Sequence, residues 1–166
     1  MAFYPELKGP PLQAYNDMVN NLLSRGATQL NLQPKQLVLR SLIPEDVGLS
    51  SPVWSFSVTS TNAFNTIIDA VIQDNRFIGI NGIFYDPSTE LISELRLTRM
   101  GALKRQWNIQ EIPSQDDKVE YVDDPIIVDQ TTTLKVEAFN QTTSTDGSHE
   151  IGFKGAVVEK RGLLIA

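Results

Sequence analysis

Cysteine is absent from this chain of 166 residues, and histidine occurs only once, as His149. The first absence excludes a disulfide framework, a thiolate zinc site and a cysteine nucleophile. The second excludes a metal centre built from several imidazoles. A Ser-His-Asp triad would have to use His149, and no serine lies in a nucleophile-elbow pattern of glycines. We therefore expect no enzyme activity and no cofactor. His149 is interpreted as a plain exposed residue or, alternatively, as a pH-sensitive or binding group.

Basic residues are in the minority, and long apolar runs are missing. Lys and Arg number 14 against 20 Asp and Glu, which gives a net charge of −6 and a pI near 4.7. Nucleic-acid binding depends on neutralising phosphates, so these numbers argue against a whole-surface affinity for nucleic acid. No apolar stretch approaches the roughly 20 residues of a membrane helix, and Met1 to Glu6 lack the basic start of a secretory signal. We expect no transmembrane segment and no secretion signal.

The last third of the chain carries the clearest strand pattern. From Thr132 to Phe139 and from Ile151 to Val157, apolar side chains alternate with polar or small ones, as in strands that bury one face. A polar stretch lies between them, and Asp146-Gly147 supplies the positive φ that a hairpin tip needs. We predict that these two strands pair with each other in antiparallel fashion.

Further strands are predicted from alternation or from short apolar runs bounded by turn residues. Gly79 and Gly82 lie within one of them and indicate a bulge or the close approach of another backbone. Met100-Gly101 predicts a hairpin turn between two others, and Asp123-Asp124-Pro125 predicts a turn before the last. The predicted strands cover residues 37–43, 53–59, 76–85, 93–99, 103–109 and 126–128.

Two segments have helical spacing. Leu12 to Arg25 predicts a short amphipathic helix, with Gly26 placed as its C-terminal cap. Phe64 to Ile72 has apolar residues at i, i+3, i+4, i+7 and i+8 and predicts a second helix of about three turns. The high β-branched content of this second segment leaves a strand as the alternative.

Together these elements predict an all-β fold, a β-sandwich or jelly roll of seven or eight strands with one or two short peripheral helices. At this length we expect one structural domain, with residues 1–34 as an N-terminal segment that includes the short helix and residues 35–166 as the β-sandwich. The residues expected to form the core are Trp54, Phe56, Val58, Leu95, Leu97, Leu134, Val136, Phe153 and Val157.

Two charged stretches are the candidate interaction sites. The basic run flanks the predicted hairpin turn and is either a solvated tip or a contact for an acidic surface. The acidic stretch lacks the apolar pocket that a general acid needs and the spacing of an EF-hand, so simple solvation is the main interpretation and a structural or lattice calcium site is the alternative. The two stretches could pair within one chain or between neighbouring subunits. The basic residues are Arg96, Arg99, Lys104 and Arg105, and the acidic residues are Asp116, Asp117, Glu120, Asp123 and Asp124.

Three segments, Arg105–Ile109, Tyr121–Val128 and Gly152–Gly162, resemble the late strands of jelly-roll virion proteins from bacteriophages. The likeness is to the single-jelly-roll capsid proteins of tailless icosahedral phages. It implies a shell or decoration protein of the virion that is assembled in the host cytoplasm, catalyses nothing, and associates with itself or with a second virion protein. Many such proteins carry a basic N-terminal arm for the genome. Residues 1–34 contain only Lys8 and Arg25, so no direct nucleic-acid arm is expected.

A carbohydrate-binding, lectin-like β-sandwich is the alternative function. It would use loop carboxylates together with aromatic residues such as Trp54, Trp107 or Tyr121 as stacking platforms. Both tryptophans lie in segments with strand alternation, which favours core packing for them.

Overall fold

The structure, a computed structural model, describes residues 9–85, 92–109, 119–141, 146–149 and 151–163. This part of the chain contains one α-helix, two short 3-10 turns at Pro34–Gln36 and Pro44–Val47, and ten strands. The helix is α1 (Pro10–Leu30), and the strands are β1 (Leu37–Ser41), β2 (Phe56–Val58), β3 (Ala63–Val71), β4 (Arg76–Tyr85), β5 (Ile92–Arg99), β6 (Ala102–Asn108), β7 (Val119–Val128), β8 (Thr133–Asn140), β9 (Asp146–His149) and β10 (Ile151–Lys160).

The strands form two four-stranded antiparallel sheets and a two-stranded ribbon. The first sheet has the order β1-β10-β4-β7, the second sheet has the order β3-β8-β5-β6, and the ribbon pairs β2 with β9. β2 leads into β3 and β9 follows β8, so the ribbon prolongs that pair of neighbouring strands. If β2 with β3 and β8 with β9 are each counted as one strand, eight strands remain in the described chain. Renumbered from 1 to 8 in chain order, they lie in the order 1-8-3-6 in the first sheet and 2-7-4-5 in the second. This is the strand order of a jelly roll, and the predicted all-β sandwich is confirmed.

The core lies between the two sheets, where alternate side chains of both point inward. Trp54 and Phe56 are only partly buried and pack against the edge of this core. The other seven residues expected in the core are fully buried there: Val58, Leu95, Leu97, Leu134, Val136, Phe153 and Val157.

The helix predicted from Phe64 to Ile72 is wrong, because Ala63–Val71 is strand β3. Thr66 pairs with Glu137 of β8 and Ile68 pairs with the next residue of β8, which leaves Ile67 as an extra residue in a bulge. The apolar residues of this segment do not share one face: Ile68 and Ile72 are buried, whereas Val71 is 61% exposed and Phe64 lies beneath Arg96 on the outer face. Apolar residues on both faces together imitate the spacing of a helix. The strand alternative, based on β-branched content, is correct.

The predicted pairing of the two C-terminal strands is also wrong. β8 lies in the second sheet between β3 and β5, whereas β10 lies in the first sheet between β1 and β4. Asp146-Gly147 is not a hairpin tip between them, since Asp146–His149 forms β9 and pairs with β2. Alternation reports which face of a strand is buried, and both sheets of a sandwich share that property. It does not report which strand is the neighbour.

The turn predicted at Asp123-Asp124-Pro125 is a bulge within a continuous strand. β7 runs through these three residues, but its ladder with β4 is interrupted, because Gly82 pairs with Tyr121 and Ile80 pairs with Ile126. The bulge tolerates a proline because no ladder hydrogen bond is required of its nitrogen. The proline signal therefore marks a break in the ladder and not a chain reversal.

Helix α1 covers part of the outer face of the first sheet. It is longer than predicted at both ends, and the residue expected to cap it, Gly26, lies inside it; the left-handed cap is Asn31, with φ 52°. Met18 and Leu22 pack on the sheet directly above Gly79, where a Cβ atom would lie 2.5 Å from the sulfur of Met18. Side chains of the helix, and not a second backbone, thus approach Gly79, while the predicted bulge is confirmed between Gly79 and Gly82. In the described part of the chain, no helix has the length and apolar character needed to cross a membrane.

Candidate functional site

The predicted basic hairpin is present as β5, the turn Met100-Gly101 and β6. Arg96 lies on the outer face of the second sheet, where its guanidinium donates two hydrogen bonds to Glu137 at 3.0 and 3.1 Å. It also lies 3.7 Å above the ring centroid of Phe64. The hydrogen bond from Arg96 lowers the pKa of the Glu137 carboxyl below its ordinary value. Arg96 is therefore already engaged within its own chain.

Arg99 and Arg105 connect the two sheets along one side of the sandwich. A guanidinium nitrogen of Arg99 donates to the carbonyl oxygen of Ile127, and one of Arg105 donates to the carbonyl oxygen of Asp124. The Arg105 guanidinium also lies 3.7 Å from the Asp124 carboxylate, which is 94% exposed, so this ion pair is worth little. The carbonyl contacts join the edge of the second sheet to β7 of the first.

The predicted acidic stretch is only partly brought together with this hairpin. Asp116 and Asp117 lie outside the described residues, as does the side chain of Lys104. Glu120 is half-buried in β7, whereas Asp123 is exposed. Arg105 with Asp124 is thus the point where the two predicted sets meet, and they meet within one chain. The side chain of His149 also lies outside the described part, although its backbone pairs with Phe56.

Sequence reasoning missed a buried cluster of four charged residues, called here the ion network. Arg40 bonds to both oxygens of Asp46 at 2.6 and 2.7 Å and to Glu159 at 2.9 Å. Arg76 donates to Glu159 at 2.9 Å and lies 3.4 Å from Asp46. The four side chains are between 1% and 16% exposed. No local pattern could reveal them, because they come from three strands and a 3-10 turn that are distant in sequence.

The ion network is suited to holding the fold together and not to proton transfer. Burial raises the pKa of the Glu159 carboxyl, but hydrogen bonds from Arg40 and Arg76 outweigh burial, and the net pKa is below the ordinary value. A general acid needs the opposite shift. The two positive and two negative charges balance, and Asp46 also accepts a hydrogen bond from the Ile43 N–H. The network therefore fastens the 3-10 turn at Pro44–Val47 to the first sheet.

Three exposed apolar residues lie together at one end of the second sheet, and we call them the apolar rim. Val71, Met100 and Leu103 are 61%, 72% and 53% exposed. Val71 pairs with Thr133 in the ladder, the backbone N–H of Met100 donates to the carbonyl of the same Thr133, and Leu103 belongs to the neighbouring hairpin strand. Grouped exposed apolar residues are typical of protein contact sites, whereas isolated ones are ordinary.

The three aromatic residues considered as stacking platforms lie in two different environments. Trp107 is 5% exposed and belongs to the core, as its alternation predicts. Trp54 and Tyr121, in contrast, line the same cleft of about 560 Å³, which opens beside α1 on the outer face of the first sheet. The described residues include no group of three or more His, Cys, Asp or Glu side chains placed to hold a metal ion.

Comparison with known proteins assigns this chain to no family. No protein-family model matches the sequence, and no curated protein is significantly similar to it. Functional inference therefore depends on the fold and on the surfaces just described.

Proposed function

We propose that this protein is a structural subunit of a virus particle, a shell or decoration protein that associates with copies of itself and catalyses nothing. The observation that carries the proposal is the strand order of the two sheets, which is that of the jelly roll used by many capsid proteins. The likeness of the late strands to phage capsid proteins supports the same function.

The apolar rim is the proposed contact between subunits. Two of its three residues, Met100 and Leu103, lie on the β5–β6 hairpin that is basic in sequence, but the arginines of that hairpin face their own chain. Arg96 bonds to Glu137, and Arg99 and Arg105 bond to β7. Among the described side chains of the hairpin, the large apolar ones that project are Met100 and Leu103. Association through this hairpin should therefore depend more on apolar burial than on charge pairing.

The two sheets also differ in what covers them. The first sheet carries α1 on its outer face, while the residues of β3, β8 and β5 that face outward are half-buried or exposed and include Thr66, Asp69 and Thr133. A neighbouring subunit can therefore approach the second sheet without moving the helix. A stable interface buries about 1,600 Å² in total, so the rim would be its apolar centre and the outer face of the second sheet its polar surround.

Sedimentation velocity over a wide range of protein concentration tests this proposal. Val71→Glu places a charge in the rim, and Val53→Glu is the matched control, because Val53 is an almost equally exposed valine (57%) outside the rim. We expect the wild type and Val53→Glu to form oligomers and Val71→Glu to remain monomeric with an unchanged melting temperature.

Salt separates the apolar contact from charge pairing. Oligomers held by the rim should persist at about 1 M salt, where the screening length falls to about 3 Å. A wild type that stays monomeric at every concentration refutes self-association. Oligomers that dissociate in salt and are indifferent to Val71→Glu would move the contact to the predicted charged stretches.

A further inference from the structure

The cleft on the outer face of the first sheet lies where α1 stops covering the sheet. Leu12 and Tyr15 of the first helical turns form one wall, and Trp54 stands on the other side. Phe84 and Tyr121 extend the aromatic lining. A volume of about 560 Å³ is within the usual range for small-ligand sites.

The aromatic rings lie directly on the backbone of the sheet. A Cβ atom added to Gly152 would overlap the ring of Phe84 and come within 2.5 Å of Cγ of Trp54. The ring of Trp54 meets those of Phe84 and Phe153 edge to face, with centroids 6.4 and 6.0 Å apart. Each ring is therefore fixed by its neighbours and by the missing side chain at Gly152. The lining is rigid before any ligand arrives, which lowers the entropic cost of binding.

A buried amide group faces this aromatic lining. Asn81 is the extra residue where β4 is bulged against β10, the ladder between β4 and β7 is interrupted at the same residue, and Asn81 is 3% exposed. None of the hydrogen bonds among the described residues involves its side chain, which lines the cleft. The amide atoms of Asn81 are not among the buried polar atoms that lack a partner, so they are open to the cleft, and a ligand there can supply the hydrogen bonds that the protein does not.

Asn65 shows what a structural asparagine looks like in the same fold. It is 6% exposed, and its amide oxygen accepts from the N–H groups of Thr59 and Ser60. Its amide nitrogen donates to the carbonyls of Ser60 and Ala63. The amide of Asn65 is fully used in holding a turn, and the contrast with Asn81 is the second reason to assign Asn81 a different role.

We propose that the cleft binds a neutral saccharide, with one sugar ring stacked on the aromatic lining and its hydroxyl groups bonded to the Asn81 amide. The C–H face of a sugar ring matches an aromatic surface, and a hydroxyl can both accept from and donate to an amide. A purely apolar ligand would leave Asn81 unsatisfied. The described lining residues include no carboxylate or guanidinium; their one charged group is the ammonium of Lys154, which lies 5.4 Å from the ring centroid of Phe84 and is already engaged within the chain. This inference does not depend on self-association.

Tryptophan fluorescence of the full chain is the direct test, because Trp54 is in the cleft and Trp107 is in the core. The probes are neutral mono- to hexasaccharides of glucose, mannose, galactose and N-acetylglucosamine, at up to about 50 mM in sugar rings to cover millimolar dissociation constants. We expect at least one series to shift the emission saturably. Trp54→Phe should remove the signal, with residual binding followed by calorimetry.

Two asparagine variants decide whether the amide takes part. Asn81→Ala should weaken binding about tenfold, as expected for the loss of one or two hydrogen bonds, without lowering the melting temperature. Asn65→Ala should do the reverse, with a lower melting temperature and unchanged affinity.

Three results would overturn the proposal. The first is a flat titration with every saccharide. The second is a melting temperature that falls as far in Asn81→Ala as in Asn65→Ala with no change in affinity, which would make the amide structural. The third is saturable binding of a proline-rich peptide in place of any sugar, since such peptides also use aromatic grooves.

Discussion

Replacing Glu159 by glutamine tests the ion network most directly. The substitution keeps the shape of the side chain and removes one of two negative charges that face the guanidiniums of Arg40 and Arg76. Asp46 then remains as the only carboxylate for two cations, each at most 16% exposed. Breaking a buried pair from one side typically costs about 3–5 kcal/mol, because it leaves an uncompensated charge out of water. We expect a loss of unfolding free energy of about that size.

Glu137→Gln is the matched control. Glu137 also bonds to an arginine through two hydrogen bonds, at 3.0 and 3.1 Å, but its partner Arg96 is 33% exposed on the outer face of the second sheet. Glu137 itself is 13% exposed, so solvent reaches this pair mainly through Arg96, and its contribution should lie near the upper end of the roughly 0–1 kcal/mol of exposed pairs. The same chemical change should therefore have a several-fold smaller effect at residue 137 than at residue 159.

Urea unfolding at several pH values provides the measurement, with the slope checked for constancy between variants. The folded-state pKa of Glu159 lies below its ordinary value of 4.5, so its contribution is complete above about pH 4.5 and is lost as the pH falls through the lower folded-state pKa. The difference between wild type and Glu159→Gln should accordingly shrink in acid. Equal losses in the two variants at pH 7, or a difference that grows in acid, would refute the account of the network as a buried, stabilising cluster.

Two further expectations concern packing. Gly155→Ala should lower the unfolding free energy in urea by about 1–3 kcal/mol or more, because its Cβ would overlap the backbone carbonyl of Gly79. Gly79→Ala should cost less, because its Cβ would meet the flexible end of Met18. The reverse order of the two losses would contradict the register of β4 and β10. Phe153→Ala should lower the unfolding free energy by about 3–5 kcal/mol through lost burial and a cavity, and Trp54→Ala should lower it less, since Trp54 is only partly buried. An unchanged urea midpoint for Phe153→Ala would show that the inward orientation of Phe153 is wrong.

The sequence predicts the strands of this fold better than it predicts their neighbours. Burial of one face is a local property, so alternation identified β8 and the inward positions of Leu134 and Val136. The partner of a strand depends on chain crossings between sheets, which leave no local pattern, and the pairing of β8 with β10 was therefore wrong. Two other errors have local causes. Apolar residues on both faces of β3 imitated helical spacing, and the bulge at Pro125 imitated a turn.

For the candidate surfaces, too, the sequence predicts the local elements but not the contacts between strands. The β5–β6 hairpin could be placed from its turn residues, but the engagement of Arg96 by Glu137 depends on which strand lies beside β5. The amide of Asn81 could not be singled out, because its role arises only where two ladders are interrupted at one residue. Glycine was the informative signal there, since Gly79 and Gly82 correctly indicated a bulge, although the atoms that approach Gly79 belong to helix side chains and not to another backbone.

The rim and the cleft belong to different sheets, and this separation makes each experiment a control for the other. The rim lies at the end of the second sheet where β3 and β5 finish, whereas the cleft lies on the first sheet beside the bulge in β4. Val71 and Asn81 share no ladder and no described hydrogen bond, and effects at separated sites are normally independent. If Val71→Glu altered saccharide affinity, or Asn81→Ala altered sedimentation, the two surfaces would have to be coupled through the core. Such a result would favour a single interface that spans both sheets over two separate functions.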